Sequence, residues 1–166
     1  TALTPVLENG KVKYLVGSRK DITLQKQAEK EREELLHRLQ AMFNGHTAVM
    51  LLIEPISGRI VDANPAACTF YGYTREELLN MHIQDINMLP KEEVEKRRLI
   101  ALQEKERYFI FPHRLKNGEI RLVDVYSCHI TYNEENLLFS IIFDVTDREK
   151  YKEELYREKE LLRTTL

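Results

Sequence analysis

Histidine and cysteine are the residues of this 166-residue chain that could bind a metal or act as nucleophiles. None of the five histidines has another histidine four residues away, and no histidine–cysteine spacing fits a zinc site. His113 and His129 fall on neighbouring predicted strands, but the turn at Asn117-Gly118 places them out of register. Cys68 and Cys128 lie far apart, so we expect reduced thiols rather than a disulfide. We predict no metal site.

Enzyme motifs are absent from the sequence as well. It contains no glycine-rich phosphate loop, no nucleophile elbow and no kinase signature. The acidic pairs Glu76-Glu77 and Glu92-Glu93 stand at predicted helix starts, where carboxylates interact favourably with the helix dipole. We therefore give them a structural role and predict no catalytic residue, so that this segment is not an enzyme.

Composition limits the partners of the chain. Charged residues make up 31% and hydrophobic residues 43%, which is typical of a soluble globular protein with solvated helices. The net charge of −2 predicts no surface for nucleic acid or anionic membrane. No apolar run is long enough to cross a bilayer. We expect a cytoplasmic segment without membrane contact, cut from a longer protein.

The predicted elements of residues 44–146 are segregated along the chain. Two strands come first, short helices and one longer helix follow, and three strands in hairpins close the segment. This order predicts an α+β domain with an antiparallel sheet that carries helices on one face. The predicted strands cover 46–54, 59–63, 108–115, 120–132 and 137–145, and the helices cover 66–70, 74–80 and 91–106.

The last predicted strand continues directly into a charged helix at residues 147–166. Thr146 can cap this helix, and Glu149 three residues later could complete a capping box. Because no flexible segment separates strand and helix, a movement of the sheet should reach the helix. We predict a signal junction at Asp144, Thr146 and Glu149.

Two charged helices, at 24–43 and 147–166, flank the domain. Both carry apolar residues at heptad-like spacing, which favours a narrow seam for a partner helix and a homodimer. For the first helix, a simple linker is the alternative. The predicted seam residues are Leu35, Leu39 and Met42 in the first helix, and Tyr151, Leu155 and Leu162 in the second.

Residues 1–23 read as two strands around Asn9-Gly10, a strong hairpin signal. Their end, Lys20-Asp21-Ile22-Thr23, echoes Phe143-Asp144-Val145-Thr146 at an offset of 123 residues. We interpret 1–23 as the last hairpin of an upstream module of the same kind. The alternative is a hairpin that belongs to the main domain.

Three motifs in residues 44–146 resemble those of PAS domains. The resemblance implies a five-stranded antiparallel sheet with short helices on one face, flanked by N- and C-terminal signalling helices. It also implies that 1–23 is the tail of another PAS domain. The motifs are Val61-Asp62-Ala63-Asn64-Pro65-Ala66-Ala67 leading to Tyr71-Gly72-Tyr73-Thr74-Arg75-Glu76-Glu77-Leu78, then His113-Arg114-Leu115-Lys116-Asn117-Gly118-Glu119 leading to Val123, and the closing Asp144-Val145-Thr146.

PAS domains serve as sensory and dimerising modules in histidine kinases, diguanylate cyclases and transcription regulators. The resemblance therefore implies a sensory and dimerisation module that passes ligand- or partner-dependent changes in its sheet to an output domain in the same chain. That output domain would be a histidine kinase of a two-component system or a diguanylate cyclase.

A haem- or flavin-binding redox, gas or light sensor is the alternative function. Against flavin, the region Met81-His82-Ile83-Gln84-Asp85 lacks the reactive cysteine of light-sensing PAS domains, Cys68 lies elsewhere, and tryptophan is absent. Against haem, the long helix 91–106 contains no histidine. We expect neither cofactor, and leave a small-molecule ligand or a core filled by side chains open.

A ligand pocket would lie between the inner sheet face and the short helices. Each predicted lining residue could equally be ordinary core packing. The apolar candidates are Val49, Leu51, Phe70, Ile86, Leu99, Phe111, Val125 and Ile141, and the candidates for polar contacts are Tyr71, Tyr126 and His113.

Overall fold

The structure, a computed structural model, describes residues 2–18 and 22–166. The chain divides into two compact units, Thr1–Met42 and Phe43–Leu166. None of the described helices is both long enough and apolar enough to span a membrane.

The first unit contains a hairpin and most of a long helix. Strands β1 (Ala2–Glu8) and β2 (Lys11–Ser18) pair antiparallel, and Asn9 and Gly10 turn the chain with φ angles of +53° and +76°. Positive φ at both positions is the geometry for which Asn-Gly hairpins are selected. The predicted hairpin is present, and its origin in an upstream PAS module stays a prediction. Lys20 and Asp21 of the repeated motif lie outside the described residues.

Helix α1 (Ile22–Gly45) starts in the first unit and ends in the second. It ends at Gly45, where the sequence places its stop signal. In the second unit, Asn64 Nδ2 donates to the Phe43 carbonyl at 3.1 Å and to the Ala48 carbonyl at 2.9 Å. The buried Asn64 therefore ties the end of α1 to the start of the sheet.

The second unit is built on the predicted five-stranded antiparallel sheet. Its spatial order is β4-β3-β7-β6-β5, so the first strand of the unit pairs with the last. The α+β prediction is confirmed. The strands are β3 (Val49–Ile53), β4 (Ile60–Ala63), β5 (Tyr108–Arg114), β6 (Ile120–Tyr132) and β7 (Glu135–Asp144).

Four helices connect β4 to β5. They are α2 (Pro65–Tyr71), α3 (Arg75–Leu79), α4 (Ile83–Ile86) and α5 (Lys91–Leu102). Asn64 caps α2, and Thr74 with Glu77 forms the predicted capping box of α3. The short helix α4 is not among the predicted helices, and α5 ends four residues before its predicted end because Glu104 takes a positive φ of 55°.

Strand alternation separates the two faces of the sheet. The inner face buries large apolar side chains beneath the helices, each worth about 1.5–3 kcal/mol of stability. The outer face carries an aromatic cluster in which the Tyr126 ring lies 4.9 Å from Tyr108 and 6.1 Å from Phe143. The inner residues of the three long strands include Phe109, Phe111, Val123, Val125, Leu138 and Ile142.

Helix α6 (Thr146–Thr165) follows β7 with only Val145 between them. Val145 is 6% exposed, and its backbone N–H donates to the Leu122 carbonyl of β6 at 2.9 Å. The start of α6 is therefore attached to the sheet, as the sequence predicts.

Candidate functional site: an inner cavity and the strand–helix junction

A small cavity lies between the inner face of β5, β6 and β7 and the helices α4 and α5. The volume open to the centre of a water molecule is about 40 Å³. One water needs roughly 10–15 Å³ by this measure, so the space suits about three or four non-hydrogen atoms. Its lining is Ile53, Ile83, Asn87, Val94, Arg97, Arg98, Ala101, Phe109, Phe111, His113, Val125, Ser127, Leu138, Ser140 and Ile142.

His113 is the central polar group of this cavity. Alternation along β5 points its side chain inward, where it is 1% exposed and its ring stacks on Phe111 at 5.9 Å. Its Nδ1 lies 2.9 Å from the hydroxyl of Tyr71, which is fully buried at the end of α2. The strand and the first short helix thus fix the ring from two sides.

The protons of this pair can be assigned from its hydrogen bonds. We assign the Tyr71 hydroxyl as the donor and His113 Nδ1 as the acceptor, because a phenol is a stronger hydrogen-bond donor than a neutral imidazole N–H. The neutral imidazole then carries its own proton on Nε2. This atom is the one buried side-chain N or O atom without a partner in the described part of the chain. In this tautomer Nε2 is a buried hydrogen-bond donor on a residue that lines the cavity.

Burial sets the protonation states of both residues. Loss of solvent lowers the pKa of His113 from its ordinary 6.5 to about 3, so the imidazole is neutral near pH 7. The same loss of solvent raises the pKa of Tyr71 well above its usual 10, so the hydroxyl stays protonated. The pair forms a neutral hydrogen bond inside the core.

Two serines add a second polar group to the cavity. Ser127 of β6 and Ser140 of β7 are register partners, and their hydroxyl oxygens lie 2.7 Å apart. Only one of the two hydroxyl protons can be shared between them, so the other can point to a ligand. Asn87 also lines the cavity, and its amide oxygen already accepts from the Leu89 N–H at 3.0 Å.

Two arginines complete the lining. Arg97 pairs with Glu93 at 2.9 Å, and its guanidinium lies 5.9 Å from the centre of the Phe109 ring. Arg98 is 8% exposed and donates to the carbonyl oxygens of Pro55 and Ile56, each at 3.0 Å. These neutral partners hold the β3–β4 turn without cancelling the charge of Arg98.

Gly58 allows this close packing of Arg98. Its φ is +78°, and a Cβ there would lie 2.6 Å from Arg98 Nη1 and 2.3 Å from Gln84 Oε1. Gln84 Oε1 in turn accepts from Arg98 Nη1 at 3.1 Å. The turn glycine therefore belongs to the support of the cavity wall.

The structure brings three of the eleven predicted pocket residues to the cavity: Phe111, His113 and Val125. Five others belong to the core or pack against it but do not line the cavity. One of them is Tyr71, whose hydroxyl bonds the lining residue His113. The other four are Val49, Leu51, Phe70 and Ile86.

Three predicted lining residues were wrong. Leu99 on α5 is 39% exposed, and Tyr126 is 48% exposed on the outer sheet face. Ile141 pairs with Tyr126 and shares that outer face. The inward residue of β7 is Ile142, so the sequence assignment was displaced by one position, which reverses the face in a strand.

Sequence reasoning missed Ser127, Ser140, Asn87 and Arg98. A signal for the serines was available, because each interrupts the apolar series at inward positions of its strand. The inward position of Arg98 in a charged helix depends on packing against the β3–β4 turn, which strand and helix periodicity do not reveal.

The strand–helix junction is held by the backbone of Leu122 on β6. Its N–H donates to Thr146 Oγ1 at 2.9 Å, while its carbonyl accepts from Val145. Asp144 Oδ1 accepts from the Thr146 N–H at 3.0 Å and from its hydroxyl at 2.6 Å. Both backbone groups of Leu122 therefore bind the junction.

The predicted capping box of Thr146 and Glu149 was wrong. Thr146 is the first residue of α6, and its hydroxyl binds the neighbouring strand instead of capping the helix. The Glu149 carboxylate accepts from Arg148 at 3.1 Å and Lys152 at 3.0 Å, and these bonds lower its pKa. The carboxylate at the start of α6 is that of Asp144, which accepts from the Thr146 N–H.

A second attachment, which the sequence did not indicate, lies on the outer face. Arg148 Nη2 donates to Asp124 Oδ2 at 3.0 Å, and the Tyr108 hydroxyl donates to Asp124 Oδ1 at 2.9 Å. Asp124 is 4% exposed. The first turn of α6 is thus connected through a buried carboxylate to β6 and β5.

The predicted seam residues of both flanking helices are exposed in the single chain. Leu155 is 54% exposed and Leu35 is 53% exposed, and Leu39, Met42, Tyr151 and Leu162 are equally open or more so. Both cysteines have free thiols. The described residues contain no group of three or more metal-binding side chains.

Comparison with protein families decides the identity of the second unit. Residues 47–147 match the family model described as PAS domain. The chain belongs to the PAS domain family. A curated relative, the diguanylate cyclase DgcM of Escherichia coli K12, is 36% identical over 115 residues, which are 68% of this chain and 28% of DgcM. The chain thus spans only a little over a quarter of that relative.

Solved PAS structures agree with the fold. The PAS domain of an HTR-like protein from Haloarcula marismortui is 23% identical, with a TM-score of 0.65, over 72% of this chain and 98% of that chain. A PAS domain from a two-component sensor histidine kinase is 22% identical, with a TM-score of 0.58, over 68% and 98%. At these identities the likeness establishes the fold alone. The second unit therefore has the PAS fold.

Proposed function

We propose that this chain is a sensory and dimerisation module of a signalling protein, which passes changes at its inner cavity to an output domain through its flanking helices. PAS membership supports the sensory role. The identity with DgcM and the likeness to a histidine-kinase PAS domain support a diguanylate cyclase or histidine kinase as the output domain. The module itself would be non-catalytic.

The observation that carries this proposal is the shared framework of cavity and junction. Ser127 and Ser140 line the cavity from β6 and β7, and the same two strands hold the start of α6 through Leu122 and Asp144. Ser127 lies five positions after Leu122 on β6, or about 16 Å at the usual strand rise. A displacement of these strands would reach α6 without passing through a loop.

Amide hydrogen exchange in the first turn of α6 tests the proposal. Replacing both serines by valine fills the cavity and removes the hydroxyl pair together, which leaves no hydroxyl unpaired. We expect the exchange rate of the Glu149 N–H, which donates to the Val145 carbonyl at 3.0 Å, to change more than about threefold.

The matched control is Thr131→Val, on the exposed far end of β6. This variant should leave the Glu149 exchange rate unchanged. Equal rates in the wild type, the serine double variant and the control would show that α6 does not respond to the cavity, and would contradict the proposal.

We further propose that the cavity takes a small molecule rather than haem or flavin. Its volume supports this, because it holds only a few non-hydrogen atoms. His82 lies outside the cavity lining, where its backbone N–H donates to Asp85 Oδ2 at 2.8 Å, and His113 is the histidine of the lining. A purified protein that shows neither Soret nor flavin absorption, and takes up neither cofactor, supports the proposal, and a coloured complex contradicts it.

A further inference from the structure

The polar groups of the inner cavity are matched to one kind of ligand. His113 Nε2 carries a proton and has no partner among the described residues, although the side chain is 1% exposed. A buried donor without an acceptor costs stability, so a ligand that accepts this bond would recover that loss. Tyr71, which occupies Nδ1, does not line the cavity, whereas His113 does, so Nε2 is the imidazole nitrogen left for a ligand.

The remaining polar groups are donors as well. One hydroxyl proton of the Ser127–Ser140 pair is left over after their mutual hydrogen bond. The Asn87 amide oxygen is already used by Leu89, which leaves its NH₂ group to donate. Such a set of donors favours a molecule with more than one acceptor atom.

The charges of the lining favour a negative ligand. Arg97 and Arg98 line the cavity, and its described lining contains no Asp or Glu. Glu93 neutralises Arg97 from outside the lining, whereas Arg98 bonds only neutral oxygens. Glu54 and Glu95 act on Arg98 at longer range. Arg98 is therefore a buried cation of the lining that bonds no carboxylate among the described residues.

We propose that this cavity binds a small carboxylate of about three or four non-hydrogen atoms, one oxygen of which accepts from His113 Nε2–H. This inference rests on the proposed sensory function and adds the chemical class of the ligand. A carboxylate offers two acceptor oxygens to His113 and the serine pair. Its charge is compensated by Arg98, and its short apolar part faces Ile142 and Val125.

Nuclear magnetic resonance on the ¹⁵N-labelled chain tests the ligand class. Sodium acetate and sodium formate are the probes, acetamide is the neutral match in shape, and sodium chloride at equal ionic strength controls for salt. We expect a saturable shift of the His113 imidazole nitrogens and of the Ser127 and Ser140 amides with the carboxylates. Acetamide should bind about tenfold more weakly, because it lacks the charge that strengthens these hydrogen bonds.

Two variants locate the binding. Replacing Tyr71 and His113 together by phenylalanine removes both members of the buried hydrogen bond, so that neither is left unpaired. This double variant should lose the saturable acetate shift at the two serine amides. His129→Gln, on the same sheet but bonded to Asn136 outside the cavity, should bind acetate like the wild type.

The outcomes separate this inference from the sensory proposal. An absence of saturation with both carboxylates, an equal response to acetamide or sodium chloride, or undiminished binding in the double phenylalanine variant would overturn the carboxylate assignment. None of these results changes the exchange test of helix α6, which uses no ligand. Saturation by carboxylates that depends on His113 supports the assignment.

Discussion

At the scale of single residues, the informative group is a histidine that stays neutral because it is buried. The motif that begins at His113 indicates the fold, and the sequence analysis also predicts that His113 makes a polar contact in the pocket. The sequence could not show that the Tyr71 hydroxyl bonds one imidazole nitrogen and that the other has no partner among the described residues. That arrangement depends on the distance between the end of α2 and β5, which is a tertiary property.

The buried imidazole predicts a stability that falls on acidification. Its folded pKa of about 3 lies below the unfolded value near 6.5, so in this pH range the unfolded chain binds a proton that the folded chain does not. Stability then rises with pH across this window and is lost as pH falls from 6.5 towards 3, by up to about 1.4 kcal/mol per pH unit.

Chemical denaturation at pH 7 and pH 5.5 measures this effect. The wild type should lose about 1 kcal/mol more than the variant with both Tyr71 and His113 replaced by phenylalanine. The other four histidines are present in both proteins and cancel in the comparison. Identical losses would mean that His113 is not held neutral in the core.

At the scale of elements, β7, Val145 and α6 form one continuous segment. The sequence predicted this continuity and the importance of Asp144 and Thr146. The hydrogen bonds predicted for Thr146 were wrong, because local capping rules consider only near neighbours in the sequence. The Thr146 hydroxyl accepts instead from the N–H of Leu122, which lies 24 positions earlier in the chain. For the same reason the sequence did not indicate that Arg148 reaches Asp124.

Arg148→Ala should weaken the attachment of α6 to the outer sheet face. Asp124 would keep Tyr108 as a partner but lose its cation, and a buried carboxylate without its charged partner is unfavourable. Because Arg148 is half exposed, water screens part of this loss. We expect a lower denaturation midpoint and several-fold faster amide exchange in the first turn of α6.

Arg163→Ala is the control for this variant. Arg163 pairs with Glu160 near the other end of the same helix, where the pair is largely exposed. This change should affect neither the midpoint nor the exchange in the first turn. If the two variants behave alike, Arg148 contributes nothing to the position of the helix.

At the scale of the whole molecule, the antiparallel five-stranded sheet, the helix order and the family could all be predicted from the sequence. Strands and helices follow from alternation, glycine turns and capping residues, which are local signals. The cavity could be predicted only in part, because its wall combines β5, β6, β7, α4 and α5. An error of one position was enough to place Ile141 of β7 on the wrong face, and the same error on β6 misplaced Tyr126.

Dimerisation through α6 is a prediction for the whole module. Leu155 is 54% exposed at heptad-like spacing from Tyr151 and Leu162, so Leu155→Glu should place a charge in the seam and weaken the dimer. Light scattering coupled to size exclusion measures the mass of both proteins. Leu161→Glu, a 66% exposed residue beside the seam, should leave the mass unchanged. A wild type that stays monomeric at high concentration would contradict the prediction.

The central claim is that cavity and exit helix respond to each other through β6 and β7. A double-mutant cycle measures this directly, with the free energy of unfolding of four proteins: the wild type, the variant with valine at positions 127 and 140, Thr146→Val, and the combination. Sites this far apart add within about 0.5 kcal/mol when they are independent. Our account predicts an interaction energy clearly above that value, and strict additivity would contradict it.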